Sequence, residues 1–106
     1  MLSPDSPERD LLEDLLKPLL EDFQNWFARV QLLLETELMP FFNTEQQADF
    51  LALVEQAYQE VRAAQMLMEA TDYRVGVELS LLWAWHQLAT ECWQLAVRFR
   101  LEKISP

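Results

Sequence analysis

The sequence predicts an all-α fold: an elongated, up-down-up bundle of three helices in a single domain spanning residues 1–106. Three observations lead there. One glycine in 106 residues and few β-branched runs disfavour strands and hairpins. Apolar residues recur at alternating spacings of four and three along three long segments. Two short stretches with turn chemistry, around Pro40 and around Gly76, separate the segments. Hydrophobic residues make up 51% of the chain, enough to build a core without disulfides or a structural metal.

The first helix is expected over residues 7–38. Leu12, Leu16, Leu19, Phe23, Trp26, Val30 and Leu33 form its apolar stripe, and Leu15, Leu20, Phe27 and Leu34 widen it. On this reading Trp26 belongs to the core. Ser6 followed by Pro7 reads as an N-cap with proline in the first turn. Pro18 leaves the phase of the stripe unchanged, so one helix with a kink is expected rather than two helices. "MPFFN" ends it, because Pro40 disfavours helical geometry at Met39. Phe41 and Phe42 in this connection either plug the end of the bundle or form an exposed docking spot.

The second helix is expected over residues 44–71. Asn43 or Thr44 can cap it, with Gln47 three residues after Thr44 in a capping-box arrangement. Its stripe is Phe50, Val54, Ala57, Val61, Ala64 and Met68, flanked by Leu51, Leu53, Tyr58 and Leu67. "TDYRVGVEL", with the lone Gly76, forms the second connection. The third helix is expected over residues 80–103, with Ser80 as a possible N-cap or a start a few residues earlier. Its core row is Leu81, Trp85, Leu88, Cys92, Leu95 and Phe99; Arg98, Arg100 and Lys103 suit the negative end of its dipole. Residues 1–6 and 104–106 are expected to be flexible ends. Helices of roughly 25–32 residues reach about 38–48 Å, which makes the bundle long and thin.

The third helix carries more apolar surface than one bundle face requires. On a wheel of about 100° per residue, Leu82, Trp83, Ala89, Trp93 and Val97 lie off the core row, and only Gln87, Glu91, Gln94 and Arg98 form a polar arc. These five apolar residues are the expected interface, facing another subunit, another protein or a ligand. Trp83 and Trp93 are its anchors, since tryptophan buries a large area and keeps an N–H donor.

The formal net charge is −10, which disfavours nucleic acid and anionic lipid as partners. The acid is unevenly placed. Residues 1–22 carry seven acidic and two basic side chains, and residues 79–106 carry two and three. The most apolar window, 79–97, contains Glu91, His86 and two glutamines, which argues against a membrane span. A single cysteine cannot close an internal disulfide, and "MLSPDSPERD" lacks the basic start and apolar run of a secretion signal. A cytoplasmic protein is the expectation.

Signals for catalysis are poor, and no catalytic residue, metal or cofactor is expected. His86 is the only histidine, and Glu91 and Cys92 fall on other faces of the same helix. Cys92, on the core row, reads as a buried, inert thiol. Glu13-Asp14 and Glu21-Asp22 could hold a divalent cation, but they flank Lys17 on a polar face and read as a solvated, ion-paired surface. One chemical alternative stands: His86, among the tryptophans, as an axial ligand to a tetrapyrrole.

"LLKPLLEDFQNWF", "EQQADFLALVEQAYQEVRAAQ" and "WHQLATECWQLAVRFR" together make the chain resemble a family of small, uncharacterised cyanobacterial helical proteins, over about residues 10–100. The resemblance implies a cyanobacterial cytoplasm as the setting. It brings no assigned reaction and transfers no functional residue. Because such cells are rich in tetrapyrroles, it adds some weight to the ligand alternative. The leading expectation remains a non-enzymatic helical module that binds another protein or itself.

Overall fold

The computed structural model describes residues 7–73 and 77–104, which form α1 (Pro7–Thr36), α2 (Thr44–Ala70) and α3 (Leu79–Ile104). Its extents are 58 × 23 × 21 Å, an all-α three-helix bundle that is long and thin as the helix lengths require. Ser6 and Gly76, to which the sequence assigns a cap and a turn, lie outside the described residues.

α1 runs through Pro18 as one helix, and the buried positions keep their phase on both sides of it. It stops at Thr36, two residues before the expected Leu38. The Thr36 hydroxyl donates back to the Leu32 carbonyl at 2.8 Å, and the connection begins at Glu37. Asn43 caps α2, correcting the box expected from Thr44 and Gln47. The Gln46 amide donates to Asn43 Oδ1 at 2.7 Å, and the Asn43 amide donates to Gln46 Oε1 at 2.9 Å.

That frees Gln47 for a different task. It is the one buried polar residue among those described, at 9% exposure. Its Nε2 donates to the Leu34 carbonyl at 2.9 Å and to the Glu37 carbonyl at 2.8 Å, while its Oε1 accepts from the Met39 amide at 2.9 Å. One side chain thus satisfies the Leu34 carbonyl in the last turn of α1 and the Glu37 carbonyl just beyond it. Above it, Phe41 and Phe42 are half-buried, edge-to-face at 5.1 Å, with Phe42 against Phe50 at 5.9 Å. Arg98 of α3 covers the Phe41 ring at 4.3 Å. They close one end of the bundle and are not a bare apolar spot.

α2 ends in a Schellman motif. The Tyr73 amide donates to the Met68 carbonyl at 2.7 Å and the Asp72 amide to that of Glu69 at 3.2 Å. Asp72 and Tyr73 adopt φ of 54° and 60°, the left-handed region where glycine is usual. Asp tolerates it, and burial of the Tyr73 ring beneath the helix end holds the second residue there. Glu78, rather than Ser80, sits at the start of α3, its carbonyl accepting from the amides of Leu81 and Leu82.

The core lies along α1, which packs against both other helices, while α2 and α3 approach each other less closely. Having two neighbours moves the centre of the α1 stripe by one position. Leu20, Phe27 and Leu34 are buried together with Leu16, Phe23 and Val30. Leu19, Trp26 and Leu33, expected at the centre, form a half-buried border on the α3 side. Trp26 is therefore not core. In α2 the expected row stands, with Val54, Ala57, Val61 and Met68 buried. In α3 Trp85, Cys92 and Leu95 are buried, but Leu81, at the exposed first turn, is not. Trp85 ties the three helices together: its ring meets Phe23 edge-on at 6.3 Å, and its Nε1 donates to Glu60 Oε1 of α2 at 3.2 Å.

Candidate functional site

Because α2 covers one side of α1 and stands off α3, the other side of the α1–α3 pair stays open. A groove runs along it as three hollows that share walls. At the α3 N-terminal end, Leu19, Phe23, Leu82 and Trp83 line an open hollow of about 680 Å³ with His86 at the border. In the middle, Trp26 and Trp93 flank about 260 Å³, with Asp22 beside them. At the far end, Val30, Leu33 and Phe99 floor about 420 Å³, and Arg29, Arg100 and Lys103 surround it. No residue of α2 lines any of the three.

Local helix geometry explains the groove. Leu82, His86, Ala89, Trp93, Ala96, Arg100 and Lys103 repeat at four and three along α3, one row beside the core row. Leu19, Asp22, Trp26, Arg29 and Leu33 do the same on α1. Each helix thus presents two adjacent rows. One faces the core and the other borders the groove.

Of the five interface residues named from the sequence, Leu82 and Ala89 are half-buried on the groove floor. Trp83 and Trp93 are 61% and 51% exposed, and Val97, at 37%, lies just outside the groove. Trp85, between them in sequence, is 3% exposed. The α1 wall escaped the sequence reading, because Trp26 and its row were assigned to the core. The sequence shows two adjacent apolar rows on α1 but does not distinguish the one that faces the core from the one that borders the groove.

His86 is exposed, its ring 6.0 Å from that of Trp83 and tilted by 31°. Its side chain has no hydrogen-bond partner among the described residues. The expected ion-paired face around Lys17 is not formed: among the described residues no ion pair joins Lys17 to Glu13 or Glu21. Nor do three His, Cys, Asp or Glu side chains gather as a metal site among those residues.

Cys92 is fully buried, and its thiol pKa is pushed from 9.0 up to about 12, first by burial and then by the negative charge of Glu91. Below about pH 9 the thiol is protonated in both folded and unfolded chains. Above that the unfolded thiol ionises and the folded one does not. Stability is then lost as pH rises, by up to about 1.4 kcal/mol per pH unit. Urea denaturation at about pH 8 and 10 is expected to show this slope in the wild type and a shallower one in Cys92→Ala. Tyr73, whose pKa is raised by burial and then by Glu69, Glu13 and Glu21, contributes equally to both proteins and cancels. Equal slopes would mean that the folded thiol reaches water.

Fold and site define a class: an elongated all-α bundle with an open apolar groove along two of its helices. The chain belongs to the family described as Protein of unknown function (DUF2605), whose model matches residues 6–101. No curated protein and no solved structure matches it. No helix among the described residues is long and apolar enough to cross a membrane.

Proposed function

We propose that the protein is a non-enzymatic helical interaction module that docks a protein in the α1–α3 groove. The observation that carries this reading is the contrast among three tryptophans of one helix. Trp85 is buried, while Trp83 and Trp93 stand half or more exposed beside an apolar floor. Large exposed aromatics around an apolar depression are the composition of interface hot spots, which sit in pockets and are desolvated on binding. The resemblance and the lone buried thiol support a cyanobacterial, cytoplasmic setting. A photo-reactive phenylalanine analogue in place of Trp83 or Trp93, introduced in the native host, tests the proposal. Discrete protein cross-links from both positions, absent from the same analogue at the exposed Ala63 of α2, are expected. Silence at positions 83 and 93 would remove the reading.

The 680 Å³ hollow favours one alternative. Its walls are apolar, and His86 borders it beside Trp83, so a tetrapyrrole could lie there with His86 as axial ligand. Titration with haem or a chlorin would then give a visible band that His86→Ala abolishes. A protein that stays colourless excludes it.

A further inference from the structure

We infer that the groove is closed by a second copy of this chain lying antiparallel, so that two α1–α3 faces bury one another. This deepens the interaction reading and rests on it. The single chain leaves charges along the groove unpaired. Asp22, Arg29 and Arg100 border the groove, and among the described residues none of them has an ion-pair partner. Arg29 has only the Trp26 ring, 4.9 Å away.

Their order along the groove selects the orientation. Trp26 and Trp93 mark the middle, since both line the central hollow. Asp22 lies one turn to one side of Trp26, about 6 Å along the axis, and Arg29 lies about 4.5 Å to the other. Arg100 lies on the same side as Arg29, about two turns from Trp93. A two-fold axis through the tryptophan level and perpendicular to the helices sets Asp22 of each copy against the cationic half of the other. That axis lays α1 on α1, so Asp22 of one copy, about 6 Å from the axis, meets Arg29 of the other, about 4.5 Å from it. The same rotation brings Lys103, which in its own chain pairs with Glu37 at 3.6 Å and lies over the Phe99 ring, to the level of the exposed Trp83 of the other. A two-fold parallel to the helices would instead keep Asp22 at the level of Asp22 and Arg29 at the level of Arg29, leaving each without an opposite charge at its own level. That arrangement therefore lacks the two attractions.

The area suffices. The α3 side of the groove from Leu82 to Lys103 is about 32 Å long, and at about 20 Å width two such faces bury roughly 1,300 Å². That is within the range of stable interfaces, at its lower end. The contact is isologous, as two-fold dimers require.

Sedimentation equilibrium on the purified chain decides it. The wild type is expected to be a dimer at about 100 μM. Asp22→Arg and Arg29→Asp, both at exposed positions, are each expected to weaken dimerisation at least about tenfold, because each turns two attractions into two repulsions. Combining them restores the attraction and is expected to return affinity to within about threefold of the wild type. Unchanged thermal melts exclude misfolding as the cause. A wild-type monomer, single variants that dimerise normally, or a double variant that stays monomeric each overturns the antiparallel dimer. Cross-links from position 93 to a different protein in the native host would then leave the interaction reading standing, and their absence would remove both.

Discussion

Trp85→Ala is expected to destabilise the fold by about 3–5 kcal/mol, whereas Trp83→Ala is expected to cost less than about 1 kcal/mol. The two residues are neighbours but one in sequence and alike in size. Trp85→Ala loses the edge-on contact with Phe23 and the hydrogen bond to the exposed Glu60, and leaves a cavity where three helices meet. Trp83 loses only its contact with His86 and a partly wetted groove wall. Urea denaturation of the two variants checks the difference, at a concentration low enough for a monomer, so that loss of association does not enter the result. Similar losses would place both tryptophans in one environment and remove the division of α3 into a core row and a groove row.

That division was legible on α3 and not on α1, for a physical reason. Periodicity reports that apolar residues share a face. It does not report where on a wide face the neighbouring helices will sit. On α3 the apolar arc runs nearly all the way round, so a second contact surface follows from the wheel alone. On α1 the arc is only two rows wide, and the rows through Trp26 and Phe27 are equivalent until the neighbours are placed. Packing chose Leu20, Phe27 and Leu34, which left Leu19, Trp26 and Leu33 to line the groove. Helix number, order and bounds were legible because they depend on local signals: the 3.6-residue period, Pro40 and the cap at Asn43. The groove depends on how far α2 stands from α3, and no local signal encodes that. The charges around it were visible individually in the sequence, but their opposition across Trp26 and Trp93 appears only once the two helices are set side by side.

Gln47→Leu is expected to destabilise the fold by about 3 kcal/mol, a large effect for a substitution that raises hydrophobicity at a buried site. Gln47 occupies the row position three residues before Phe50, where an apolar residue would continue the stripe. Leucine would fill much of the volume and still leave the Leu34 and Glu37 carbonyls and the Met39 amide without their partner. The burial it gains is offset by these groups, each worth about 1–3 kcal/mol when stranded. Gln47→Glu isolates the electrostatic part. The carboxylate keeps the bond from the Met39 amide but faces two carbonyl oxygens at the negative end of the α1 dipole. Its pKa must therefore rise above the ordinary glutamate value, by burial and by those oxygens. A raised folded pKa makes its contribution most favourable below the unfolded pKa, and stability is lost as pH climbs through the folded one. So the gap between wild type and Gln47→Glu is expected to widen from about pH 4 to pH 8. Hydrogen exchange at the Met39 amide gives the local readout. It is expected to quicken sharply in Gln47→Leu and far less in Gln47→Glu, which retains that acceptor. If Gln47→Leu instead matches the wild type in urea to within about 0.5 kcal/mol, water must satisfy the freed groups, and the seam between α1 and α2 is open at that end.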